Sequence, residues 1–155
     1  MKKWLWFAGA ALLLLTFGSS GAPGTDVAKL QPVQVVCLSR EGTLVTVQTD
    51  TGDLGRGETL ALALEALAAS ASGEIFLETA EHILISPECL ELVETLAASV
   101  RPSCTLCLLE GKPELEALPV FLNIHSPSVT LMEYRAKPCS LQTLQTANGR
   151  MYLVS

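Results

Sequence analysis

Apolar and polar positions along this chain change period several times, and each change marks an element. PVQVVCLS (Pro32 to Ser39) and TLVTVQT (Thr43 to Thr49) are β-branched runs with alternating polarity, and the link between them carries Gly42. Two such runs around a short Gly-containing link predict a β-hairpin. DTGDLGRG (Asp50 to Gly57) breaks the alternation and reads as a polar, Gly-rich loop. The period then lengthens: ETLALALEALAASA sets Leu60, Leu64 and Leu67 on one face at i, i+4, i+7, in a segment dominated by Ala, Leu and Glu. That spacing and composition predict a helix, closed by Gly73.

EIFL and HILIS, in the stretch EIFLETAEHILIS (Glu74 to Ser86), predict two short strands around a polar crossing. Ser86, Pro87 and Glu88 signal a helix start with Ser86 as N-cap, and the stripe Leu90, Val93, Leu96 carries that helix to about Ser99, before Pro102 stops it. CTLCLLE (Cys104 to Glu110) returns to strand. KPELEAL predicts a short helix or turn, SVTLMEYR a strand or a helix, PCSLQTLQTANG a helix ended by Gly149, and RMYLVS a last strand. Strands alternating with helices behind an opening hairpin predict an α/β fold, or α+β, in a single domain over residues 31–155, with a mixed sheet and two to four helices.

The N-terminus adds a compartment. MKK is a basic n-region, WLWFAGAALLLLTF an apolar h-region and GSSGAPG a small-residue tail, the order of a secretory signal peptide. The apolar run, Trp4 to Phe17, is shorter than the roughly 20 residues a spanning helix needs. Pro23 disfavours cleavage after Ala22, so residues 1–22 are expected to be either a cleaved signal or a retained membrane anchor, with 23–30 a linker. No Cys closely follows the h-region, the first being Cys37, which gives no lipid-attachment signal. The chain carries 10 Lys and Arg against 16 Asp and Glu, and nothing basic clusters after Lys3. A nucleic-acid partner is therefore not expected, and a membrane is expected only through an uncleaved N-terminal segment. The protein is expected to be exported and to work outside the cytoplasmic membrane.

Five cysteines invite a chemical reading: Cys37, Cys89, Cys104, Cys107 and Cys139. Cys104 and Cys107 have the spacing of a redox pair. In such sites, however, the pair sits at a helix N-terminus, which lowers the first thiol's pKa. Here it falls in a strand pattern, where side chains at i and i+3 point to opposite faces. The expectation is buried structural thiols or disulfides between elements, with an odd cysteine left over; an exported thiol-disulfide redox protein using Cys104 and Cys107 is the alternative. Zinc is not indicated, since no second CxxC or nearby His pair completes four ligands. Glu78, Glu81 and His82 are the residue types of a metal or acid/base set, but the adjacent Glu81 and His82 would face opposite ways on a strand. The expectation is a solvated kink with its charges facing water. His125, near Ser126 and Ser128, is read as a polar loop residue, because no G-x-S-x-G elbow is present. GDLGRGETL lacks the G-K-[ST] ending of a phosphate loop and reads as a turn into a helix. No catalytic, metal or cofactor-binding residue is assigned, and no cofactor is expected.

One order of features resembles a known family. LVTVQT, a Gly-rich loop, GRGETLALALEAL and EIFLETAEHILISPECLELV are similar to the N-terminal domain of Ger(x)C-type spore-germination proteins, the C subunits of germinant receptors. Gly55, Gly57 and Thr59 match its G-x-G-x-T, Phe76 and Leu77 its aromatic strand end, Ile83 to Ser86 its I-x-I-G and Glu88 its acidic helix start. The family's His and Lys fall on Thr79 and Glu81, and Ser86 stands where the family has Gly. The chain is also far shorter than the multi-domain members and lacks their lipid-attachment Cys. The resemblance covers roughly residues 44–109 and implies a non-enzymatic domain on the outer face of a membrane, working within a protein assembly. The resulting expectation is an exported, non-catalytic interaction module with an envelope or membrane protein partner, its exposed faces free of any convergent polar pocket.

Overall fold

The alternating runs at the N-terminal end pair as their periodicity requires. In the computed structural model, which describes residues 30–155, β1 (Leu30–Pro32) precedes a hairpin of β2 (Val35–Glu41) and β3 (Leu44–Thr49). Glu41 and Leu44 are the last register partners, and Gly42 turns the chain at φ 63°. The proposed signal or anchor at 1–22 and the linker at 23–30 lie outside the described residues, save for Leu30. Among the described residues no helix is long and apolar enough to cross a membrane.

DLGRG is not the loop its composition suggests. Leu54–Gly57 forms β4, antiparallel to β3 with Gly55 opposite Val47 and Gly57 opposite Val45. Helix α1 (Leu60–Ser70) lies directly on those glycines. A Cβ on Gly55 would run into the Ala63 carbonyl and the Leu67 amide, and one on Gly57 would sit 2.6 Å from the Ala63 nitrogen. The strand lacks apolar alternation because the helix backbone occupies the space side chains would fill. Thr59 caps α1, its hydroxyl accepting from the Leu62 amide.

The chain continues through β5 (Glu74–Phe76), which pairs with β1, then a 3-10 turn at Leu77–Thr79 and β6 (His82–Ile85). The segment after β6 departs from the expected long helix. Pro87–Leu92 is a 3-10 helix in which Ser86 makes no capping hydrogen bond, and only Val93–Leu96 (α2) is α-helical. β7 (Thr105–Glu110) follows. Then come a 3-10 turn at Leu115–Ala117, α3 (Leu118–Ile124), which the sequence pattern did not announce, and α4 (Leu131–Ala136). Thr130 and Glu133 form a reciprocal capping box that settles the ambiguous SVTLMEYR as helix. The expected helix over PCSLQTLQTANG is instead β8 (Thr143–Ala147), joined by Asn148 and Gly149 to β9 (Arg150–Val154).

The fold is α/β: a mixed seven-stranded sheet in the order β4-β3-β2-β6-β7-β8-β9, with four α-helices among the described residues. β2, β6, β7 and β8 are parallel neighbours, and an antiparallel hairpin closes each end. Period-two alternation sorts the sheet residues into two cores. Val36, Leu38, Val45, Val47, Ile83, Ile85 and Leu106 pack with α1, α2 and Leu131 of α4. Val35, Cys37, Leu84, Cys107 and Leu144 pack with Leu118 and Leu122 of α3 on the other face. The chain thus changes sides after β7, at Gly111 with φ 92°. α3 covers only part of the second face. The carboxyl-terminal half of β2, with β3 and β4, stays uncovered there.

Candidate functional site

The uncovered part of the second face forms a cleft of about 490 Å³. Its floor follows from register: Cys37 stands opposite Gln48, Ser39 opposite Thr46, and Thr46 opposite Arg56. Leu54, Leu109 and Leu115 line its sides, and Gly111, Lys112 and Pro113, the segment in which the chain crosses between faces, form its far wall. The cleft lies at the carboxyl ends of β2 and β7, where open α/β sheets place their ligand sites. Thr46 is 5 % exposed, yet its hydroxyl has no hydrogen-bond partner. Buried hydroxyls are normally satisfied, so this one has unused bonding capacity. Arg56 bonds to Glu41 at 3.3 Å, with both side chains half exposed. Such a pair contributes about 0–1 kcal/mol and exchanges partners readily. Among the described residues no carboxylate pairs with Lys112. A second hollow shares Pro113 and Leu115 with the cleft and is acidic, with Asp50, Glu114 and Glu116 around it.

The cleft offers donors and acceptors without the elements of nucleophilic catalysis. The Ser39 and Thr46 hydroxyls have no imidazole beside them, since neither of the chain's two histidines lines the cleft. The Cys37 thiol on the floor is 6 % exposed, and burial pushes its pKa well above the ordinary value. It is therefore protonated at neutral pH and a poor nucleophile. A polar cleft of this kind was not expected for the interaction module. The signal was present in outline, as the polar positions Ser39, Thr46, Gln48 and Arg56. Hairpin residues on the second face of a sheet read as solvent-facing until one knows that a loop from β7 walls them in.

The structure separates the two cysteines of CTLC. Cys104 lies in the core under α1 and α2, where its thiol donates to the Ala80 carbonyl at 3.0 Å; Cys107 lies in the core under α3. Burial raises both pKa values, that of Cys107 to about 12. All five thiols are free, four of them buried and Cys139 exposed. Cys37 and Cys107 share a face but flank Leu84 on the strand between them. Two strand spacings, about 9–10 Å, exceed the reach of a disulfide.

EIFLETAEHILIS resolves differently from a solvated kink. Glu78 is exposed and Glu81 pairs with Arg101 at 3.4 Å, but His82 is 4 % exposed. Its Nδ1 lies 2.7 Å from the Thr105 hydroxyl and its Nε2 3.4 Å from the Asn123 side-chain oxygen. Burial lowers its pKa, outweighing the opposing effects of Asn123 and Glu81. His82 is a satisfied core histidine that ties β6 to β7 and to α3. Thr79, where the germination family has His, exchanges hydrogen bonds with the backbone of Val33. His125 is exposed at the end of α3, its ring 4.9 Å from that of Phe121. Among the described residues no cluster of three or more His, Cys, Asp or Glu side chains could hold a metal.

No protein-family model matches this chain, and no curated protein or solved structure does either.

Proposed function

We propose that this protein is an exported, non-catalytic binding module of the cell envelope that takes its partner on the uncovered half of its sheet. The observation that carries the reading is the cleft itself, which brings the Ser39, Thr46 and Gln48 side chains together with no imidazole and no low-pKa thiol beside them. The signal-like N-terminus supports export. The resemblance of residues 44–109 to germination-protein domains supports a place beside a membrane within an assembly. The matched Gly55, Gly57 and Thr59 serve in this fold to seat and cap α1, so they carry the architecture rather than a site.

The test is mass spectrometry of the protein recovered from its host envelope, with thiols alkylated before and after denaturation. The expected result is recovery outside the cytoplasm, fast alkylation of Cys139, and labelling of Cys104 and Cys107 only after unfolding. Fast native labelling of those two, or a disulfide between them, would put the redox reading first. Recovery from the cytoplasm would remove the export reading.

A further inference from the structure

The chemistry of the cleft narrows its ligand, on the premise that the protein is a binding module. We infer that the cleft takes a small amphipathic monocarboxylate, its head between Arg56 and Lys112 and its hydrocarbon tail along Leu54, Leu109 and Leu115. Four observations converge. The chain is net acidic, at −6, yet the cleft carries a cationic excess, because Lys112 lacks a carboxylate partner among the described residues and Arg56 is held only by an exposed one. With Arg40, also at the cleft, paired to Glu91 and Arg56 to Glu41, that excess is about one charge, which suits a monoanion better than a phosphate dianion. The Thr46 hydroxyl is itself shielded from solvent, but its register neighbours Ser39 and Arg56 line the cleft, so one carboxylate could collect a hydroxyl donor and a guanidinium. The acidic hollow beyond Pro113 and Leu115 repels an anionic head from the opposite end and fixes the ligand's direction. A carbohydrate is a poorer fit, since no aromatic ring lines the cleft for stacking.

Glu41 is then a competitor, occupying the guanidinium that the ligand's head would take. A carboxylate that displaces it loses little, because an exposed ion pair is weak.

Isothermal titration of the full chain with hexanoate, hexylamine and hexanol tests the inference. Hexanoate should bind saturably at one site, hexanol at least about tenfold more weakly, and hexylamine not at all. Lys112→Gln should weaken hexanoate about threefold to fivefold, and Glu41→Gln should tighten it about threefold, since each changes an exposed electrostatic contact of this size. Ser39→Ala should weaken binding while its thermal midpoint stays equal, which separates a lost contact from lost folding. The inference is overturned if hexanoate gives no saturable heat, if hexanol matches it, or if Glu41→Gln leaves binding unchanged or weaker. Saturable binding of hexylamine or hexanol alone would overturn the ligand class while leaving a binding module. The thiol and export test above fails or succeeds independently of all three probes.

Discussion

Single positions in this protein carry distinct physical burdens. Gly55 has no room for even one methyl, because the Ala63 carbonyl and the Leu67 amide are backbone atoms that can yield only if α1 lifts from β4. Gly55→Ala should therefore cost about 3 kcal/mol or more, checked by urea unfolding, whereas Gly42→Ala meets no atom within 4 Å and should cost only the strain of its positive φ, about 1 kcal/mol. Thr46→Val acts in the opposite sense. It replaces a buried, unpartnered hydroxyl with a methyl of similar size, removing an uncompensated desolvation penalty. His82 sets a pH response. Its folded pKa lies below the unfolded value of 6.5, so as pH falls through that value the unfolded chain takes up a proton that the folded chain resists. Stability is full above about pH 6.5 and declines as pH drops toward the lower folded pKa. Glu81 and Arg101, the charged groups acting on the ring, oppose each other in this effect. The thermal midpoint should fall between pH 7 and pH 5, and His82→Asn should flatten that slope.

At the scale of elements, the β2–β3 hairpin, α1 and the strands β6 and β7 were legible because each shows its own period over enough residues. β4 was not, since a strand whose inward positions are glycines has no apolar alternation to read. β8 lies in a stretch whose pattern predicts a helix, because LQTLQT repeats Leu141 and Leu144 at a helical interval and ANG, a strong turn signal, also suits a helix end. Asn148 and Gly149, at φ 53° and 71°, make a tight two-residue turn whose twist suits the flanking strands. Gly149→Val should thus cost about 1–2 kcal/mol and raise amide exchange in β8 and β9 ahead of the rest of the sheet. α3 was hidden for another reason: its pattern LPVFLNI leaves Val120 and Ile124 exposed at 65 % and 71 %, which blurs the polar side of the helix. The site was the least legible part. Its polar residues come from β2, β3 and β4, and they become a cleft only because the segment after β7 crosses to their face.

For the whole molecule, four of the five cysteines are buried, so packing shields those thiols from reagents while Cys139 is left open to them. The order in which the sheet is built has a further consequence, one of time rather than stability. β2, β3, β4 and α1 lie within residues 35–70 and contact one another through tight local connections. The parallel pairs β2–β6, β6–β7 and β7–β8 instead require connections of 40, 19 and 32 residues (42–81, 86–104 and 111–142) to close. Local pairing closes faster than crossover pairing. The hairpin with α1 should therefore be formed in the folding transition state, and the β8–β9 hairpin should dock after it. Stopped-flow kinetics would show this as slower folding for Val47→Ala and mainly faster unfolding for Leu144→Ala. The cleft needs the segment after β7 as its far wall, so it would be among the last features of the molecule to exist.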